Sequence, residues 1–176
     1  MKKLLITSLL AFTMGIVPVS AASSKINQIV KYARSSYSTA NKKIKKKQDA
    51  VGSDRHSSKY GGYTQYNNNF TLYKLVLNGN NSIYKGHTVE YYYDDYSNLV
   101  FMFVYKGHQE QRLYFDHTNY VFLKKVTKAK VYRYIDTKGK IHDYQKGKKS
   151  VNARLTRLTT FGLKQRNLIV DRLCHN

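Results

Sequence analysis

Leu99-Val100-Phe101-Met102-Phe103-Val104-Tyr105 is apolar at successive positions and offers no polar face to water. A strand of that composition is covered on both sides, so it belongs in the middle of a sheet. Lys106-Gly107 ends it. Around it lie other short runs rich in Val, Ile, Phe and Tyr, set apart by turn residues. Residues 70–77 precede Asn78-Gly79-Asn80-Asn81, and Thr88–Tyr93 precedes Asp94-Asp95-Tyr96-Ser97-Asn98. Gln109–Phe115 precedes Asp116-His117-Thr118-Asn119. Residues 120–126 follow, then residues 130–135 before Asp136-Thr137-Lys138-Gly139. Short connections pair neighbouring strands most simply as hairpins, so residues 70–135 predict an antiparallel β-meander. Asp94, Asp116 and Asp136 each end an aromatic run, and an Asp there predicts a turn in which its side chain bonds the following backbone.

Upstream, Ile26, Ile29, Val30, Ala33, Tyr37, Ala40 and Ile44 recur at helical spacing. They predict an amphipathic helix over residues 24–48, inside a basic N-terminal segment of 22–49. Ser23 or Ser24 is placed to cap its start. The helix carries Lys25, Lys31, Arg34, Lys42, Lys43, Lys45, Lys46 and Lys47 and meets no acid before Asp49. It suits either a face of the meander, with its lysines in water, or an anionic membrane surface. Ser35, Ser36, Ser38 and Thr39 weaken it in isolation, which favours packing. Residues 50–69, with Gly52, Gly61, Gly62 and Asn67-Asn68-Asn69, read as a linker or loop. Tyr60, Tyr63 and Tyr66 recur through that stretch, as either a short strand or an ordered loop.

Residues 136–176 change character. Tyr144 is the last tyrosine, and half of the arginines (Arg154, Arg157, Arg166 and Arg172) follow it. Val151, Ala153 and Leu155 alternate with Asn152, Arg154 and Thr156, which predicts a strand with one basic face. Residues 163–173 read as a short helix or a strand. The chain as a whole predicts an α+β fold. An N-terminal amphipathic helix packs on an antiparallel β-meander, and a β-rich basic C-terminal segment follows.

Thr127-Lys128-Ala129-Lys130-Val131-Tyr132, Asp136-Thr137-Lys138-Gly139-Lys140, Tyr144-Gln145-Lys146-Gly147-Lys148-Lys149 and then Val151 resemble the C-terminal wall-binding module of lactobacillar surface-layer proteins. The resemblance implies small β-rich units that hold a protein to the wall non-covalently through accessory polymers. In place of the module's closing Gly-Lys-x-Tyr-Tyr strand stands Phe161-Gly162-Leu163-Lys164. Tyr91-Tyr92-Tyr93-Asp94, the run 99–105 and Arg112-Leu113-Tyr114-Phe115-Asp116 are similar to small secreted Gram-positive proteins of unknown function. That second likeness bears on the fold, not on an activity.

Met1-Lys2-Lys3, an apolar run over residues 4–17 and Val19-Ser20-Ala21 have the layout of a secretory signal peptide cut after Ala21. The run is shorter than the about 20 residues that span a bilayer. The expected location is therefore extracellular or on the cell wall. The chain has 31 Lys+Arg against 10 Asp+Glu, net +21, and loss of Lys2 and Lys3 with the leader takes two from that, leaving +19. Positivity of this size, exported, favours polyanionic surroundings. Lys outnumbers Arg, which suits loose electrostatic adhesion better than specific nucleic-acid readout. Cys174 is the only cysteine, so no intrachain disulfide forms.

Catalytic patterns are missing from the sequence. Glu90 and Asp94-Asp95 read as strand and turn residues, not as a carboxylate pair across a cleft. His56, His87, His108, His117, His142 and His175 are scattered, without HExxH spacing, and only His108 and His117 are placed to flank one hairpin. There is no G-x-S-x-G motif and no glycine-rich phosphate loop. No enzyme, cofactor or metal site is expected. The expected function is non-catalytic binding of anionic wall polymers such as teichoic acid. Lys42, Lys43, Lys45, Lys46 and Lys47 form one contact surface, and Lys146, Lys148, Lys149, Arg154 and Arg157 a second. The alternative is an interaction module whose aromatic sheet face, around Tyr91, Tyr93, Tyr105 and Tyr114, holds a sugar or a protein. Core packing is the commoner use of such rings.

Overall fold

In the computed structural model, which describes residues 19–68, 70–117, 125–149 and 151–174, eight strands run through one antiparallel sheet in sequence order. They are β1 (Gly52–Ser58), β2 (Gly61–Asn67), β3 (Leu72–Leu77), β4 (Thr88–Tyr93), β5 (Leu99–Lys106), β6 (Gln109–Phe115), β7 (Val131–Ile135) and β8 (Ile141–Lys148). Helix α1 (Val19–Lys46) precedes them and helix α2 (Ala153–Cys174) follows. Most of the expected leader and residues 120–124 of the strand expected over 120–126 lie outside the described residues. Residues 125–130 carry no regular structure.

Three expectations need correction. Residues 50–69 are not a linker, because β1 and β2 pair along their full length as a hairpin. The Ser58 hydroxyl accepts from Tyr60 N and donates to the Gly61 carbonyl, closing the turn at Gly61, whose φ is 121°. β1 is an edge strand and mostly exposed, so no apolar alternation marks it. Second, residues 153–174 form a helix and no strand. Asn152 caps it by accepting from Leu155 N at 2.9 Å. The hydroxyls of Thr156, Thr159 and Thr160 bond back to carbonyls four residues earlier, so these β-formers are accommodated in a helix. Third, α1 already includes Ser23 and Ser24, so neither caps it, and it ends at Lys46. Lys47 follows in the left-handed region at φ 48°.

Buried side chains sort into two clusters. Leu75, Leu77, Val89, Tyr91, Tyr93, Met102, Val104, Leu113 and Phe115 share one with Leu155, Leu158, Phe161 and Leu163 of α2. Tyr73, Tyr92, Val100, Phe101, Tyr114 and Tyr132 share the other with Ile26, Ile29, Val30, Ala33 and Ala40 of α1. Each buried Ile or Val of α1 removes enough apolar surface from water to contribute about 2 kcal/mol. Strand β5 feeds both clusters: Met102 and Val104 belong to one, Val100 and Phe101 to the other. This is the double coverage that its apolar run demands.

The pairing register shifts at four places among the described residues. One lies between β7 and β8, where Val131 pairs Lys148 and Arg133 pairs Asp143. The other three are one-residue β-bulges. Tyr73 is the extra residue where Tyr66 pairs Lys74 and Asn67 pairs Leu72. Val100 is extra where Tyr92 pairs Phe101 and Tyr93 pairs Leu99. Tyr132 is extra where Tyr114 pairs Arg133 and Phe115 pairs Val131. All three extra residues join the α1 cluster. A bulge bends its strand and adds local twist, so β3, β5 and β7 curve at corresponding points.

The β4–β5 turn joins the layers. Asp94 Oδ1 accepts from Tyr96 N and Asn98 N, and Oδ2 accepts from Asn98 Nδ2 and from the Tyr32 hydroxyl of α1. Ser97, at φ 59°, accepts Leu72 N on its hydroxyl and Arg166 Nε of α2 on its carbonyl. The β7–β8 turn repeats the geometry: Asp136 Oδ1 accepts from Lys138 N and Lys140 N, and Gly139 takes the positive φ at 75°.

On the α2 side, two neighbouring tyrosines differ in one respect. Tyr93 is buried and donates its hydroxyl to the Gly162 carbonyl at 3.0 Å. The hydroxyl of Tyr91, equally buried, has no hydrogen-bond partner among the described residues. A desolvated hydroxyl left unmatched is costly, whereas a matched one contributes about 1 kcal/mol. Tyr91→Phe is therefore expected to raise stability by about 1 kcal/mol and Tyr93→Phe to lower it by about as much. Parallel urea melts check both, and a loss in Tyr91→Phe would count against the packing described.

Candidate functional site: the basic surfaces and the cleft beside helix α1

The basic residues singled out in the sequence divide into two groups that the fold keeps apart. Lys42, Lys45, Lys46 and Lys47 are exposed around the end of α1. Lys43 differs from its neighbours. It bridges Asp49 at 2.9 Å and Asp95 at 3.0 Å and lies over the Tyr73 ring. Burial alone would lower its pKa, but the hydrogen bonds to the two carboxylates outweigh it and hold the ammonium well above the usual range. Lys43 is thus a fastener between α1 and the sheet, as is Lys25, which bridges buried Asp116 at 3.3 Å.

The second group sits where β8 runs into α2. Lys146 and Lys148 are exposed on β8, Lys149 follows it, and Arg154 and Arg157 are exposed on the first turns of α2. Lys148 covers the Tyr144 ring and Arg154 the Tyr84 ring, each by its cation. Gly147, at φ 69°, is required here, since a Cβ would lie 2.8 Å from the Tyr132 ring and 2.9 Å from Lys130 Cβ. β8 is an edge strand, and lysines along an edge also discourage pairing with another chain. β3, beneath Lys43, and β8 are five strand spacings apart, about 24 Å at the usual interstrand distance. The two basic groups are therefore separate on the fold.

The four tyrosines of the aromatic alternative do not form one surface. Tyr91 and Tyr93 are in the cluster that contains α2, and Tyr114 is in the cluster that contains α1, all buried. Only Tyr105 is partly exposed. It belongs instead to a ring track along β5, where Phe101, Phe103 and Tyr105 follow at centroid spacings of 6.5 and 5.1 Å with nearly parallel planes.

Beside that track α1 leaves a cleft of about 250 Å³. Phe101, Phe103 and Tyr114 line its sheet side, and Ala33 and Tyr37 its helix side. Arg34 of α1 and Arg112 of β6 stand on its two lips. Arg112 lies 5.7 Å from the Phe103 ring centroid and is paired with Glu110. No acid lies within ion-pair distance of Arg34 among the described residues. Next to the cleft, Tyr92 donates to Glu90 and Lys74 bridges the same carboxylate at 3.1 Å. Burial, and then that hydrogen bond, hold the Tyr92 phenol above the ordinary tyrosine range. Sequence spacing links Phe103 to Arg112 through the β5–β6 hairpin, but nothing in the sequence brings Arg34 to them.

His108 and His117 lie beyond opposite ends of β6, so the hairpin does not bring them together. His117 stacks on Tyr32 at 3.7 Å. Burial lowers its pKa below the ordinary 6.5, against Asp116 and Asp94 and with help from Lys25. Below pH 6.5 the unfolded chain therefore binds a proton that the folded chain resists, and stability falls as pH drops from 6.5 to the folded value. A urea midpoint that declines between pH 7.5 and 5, with a shallower decline in His117→Gln, is the expected result.

No helix among the described residues is long and apolar enough to cross a membrane. Comparison with family models, curated proteins and solved structures finds no match for this chain. The likeness to surface-layer wall-binding modules thus rests on the residues quoted for it, and the helix over Ala153–Cys174 departs from a β-rich close.

Proposed function

We propose that this is a non-catalytic, exported protein that adheres to anionic polymers of the cell wall, teichoic acid among them, through two lysine-rich surfaces. One observation carries the reading. Of the 10 acids in the chain, eight are engaged in ion pairs within the fold, Asp136 with a histidine. None of Lys42, Lys45, Lys46, Lys47, Lys146, Lys148, Lys149, Arg154 or Arg157 has an acid among them. These acids are spent on contacts within the fold, between strands, in turns and at both helices, and the exposed cations are left for an external polyanion. The charges are exposed, so their attraction is screened over about 10 Å at 0.1 M salt.

The mature chain is expected to be retained on purified teichoic-acid-bearing walls at low salt and released as salt rises. By analogy with other polyanions, the triple variant Lys146→Gln, Lys148→Gln, Lys149→Gln lowers the logarithmic salt slope by about 2 to 3. Retention that is equal at low and high salt, or unchanged in the triple variant and in its Lys45→Gln, Lys46→Gln, Lys47→Gln counterpart, removes the reading.

A further inference from the structure

We propose that the cleft between α1 and strands β5 and β6 binds a single acidic sugar ring, a pyranose that carries one carboxylate or one phosphate. The site is distinct from the two lysine surfaces and goes beyond charge adhesion.

Its charge sets the ligand's charge. Arg34 and Arg112 are positive and Glu110, paired with Arg112, is negative, so the lips carry one uncompensated positive charge. One carboxylate balances it, and a phosphate monoester, at about −1.5 to −2 near neutral pH, balances it with charge to spare. Arg34, on the helix, is the uncommitted guanidinium. Arg112 is held by Glu110 and by the Phe103 ring, with donors to spare in its planar fork.

Its shape sets the ligand's size. The volume of about 250 Å³ is below the usual range for drug-sized ligands and suits one ring. Ala33 is what keeps the space open on the helix side. Phe103 is half-buried and Tyr37 is 42% exposed, so aromatic faces are available to the apolar face of a pyranose. The exposed Tyr37 and the guanidinium N–H groups supply partners for ring hydroxyls.

A peptide is a poorer fit. β5 and β6 are interior strands with both edges already paired, so an extended chain has no ladder to join there.

The test is an NMR titration of the labelled mature protein with four small probes and one control ion. Glucuronate and glucose 1-phosphate separate the carboxylate from the phosphate source. Glucose lacks the charge, benzoate replaces the sugar by a flat ring, and inorganic phosphate lacks the ring. The expected result is saturable shifts at Arg34, Phe103 and Arg112 with at least one acidic sugar, at a dissociation constant at least tenfold below those of glucose, benzoate and phosphate. Arg34→Gln, an exposed substitution, and Phe103→Leu are each expected to weaken that binding about tenfold, and the Lys146/Lys148/Lys149 triple Gln variant to leave it unchanged. No saturable shift with either acidic sugar overturns the proposal. So does benzoate or phosphate binding as tightly, or an Arg34→Gln variant that binds like the parent. Wall retention measured on the same Arg34→Gln protein keeps failure here separate from failure of the adhesion reading.

Discussion

Asp94→Ala is expected to lower stability by about 4 kcal/mol, with a fall in Tm of the order of 10 °C for a chain of this size. The carboxylate is 5% exposed and accepts four hydrogen bonds: Tyr96 N at 3.0 Å, Asn98 N at 2.8 Å, Asn98 Nδ2 at 3.1 Å and the Tyr32 hydroxyl at 3.1 Å. Alanine leaves all four donors without their acceptor, and those that water does not reach carry a desolvation cost. The damage also spreads, because the same turn carries Ser97, to which Leu72 of β3 and Arg166 of α2 are bonded. Asp94→Asn keeps the Oδ1 acceptor but faces two donors with an amide, so an intermediate loss of about 2 kcal/mol is expected. Chemical denaturation of the three proteins decides the matter. A loss under 1 kcal/mol in Asp94→Ala would mean that the turn closes equally well without its carboxylate.

Gly162→Val is expected to cost about 3 kcal/mol, from the opposite side of the sheet. Gly162 lies inside α2, where glycine is normally about 1 kcal/mol worse than alanine. Here the absent side chain is what lets the helix approach. A Cβ would fall 2.5 Å from Tyr91 Cδ1, 2.8 Å from Tyr91 Cε1 and 3.3 Å from the Tyr93 hydroxyl oxygen. Tyr91 is fully buried, so its ring has nowhere to turn. Displacing α2 also pulls the Gly162 carbonyl from the Tyr93 hydroxyl. The signature of overpacking is rescue. Gly162→Val combined with Tyr91→Leu is expected to be more stable than the two single losses added together, because the smaller side chain makes room. Strict additivity would show that the two residues are not in contact.

Much of the sheet was legible from local pattern. Thr88–Tyr93 and Gln109–Phe115 stand where alternation and turn residues place them. Of the three predicted turn formers, Asp94 and Asp136 accept backbone N–H groups two and four residues on, and the residues two and four after Asp116 lie outside the described ones. β1 and β2 were hidden because strands at or near an edge need little apolar periodicity, and Gly52, Ser53, Ser57 and Ser58 supply none. α2 was hidden because three of its core-facing positions are Gly162, Gln165 and Arg166, which blur a helical stripe. Its threonines read as strand formers until their hydroxyls find carbonyls one turn back. The basic candidates were legible as composition, but their standing was not. Lys43 and Lys46 look alike in sequence, and only the position of Asp49 and Asp95 makes one a fastener and leaves the other free for an external partner.

Spacing and composition alone established an antiparallel meander with a doubly covered central strand and a large surplus of positive charge. These are properties of neighbouring residues and of totals, so they survive without coordinates. Tertiary packing decided which cations are consumed by internal acids, which tyrosines vanish into the core, and that Arg34 meets Phe103 and Arg112 at a cleft. Those outcomes depend on where α1 crosses the sheet and on bulges at Tyr73, Val100 and Tyr132. A one-residue bulge reverses the facing of every side chain after it, and no count of residue types records that.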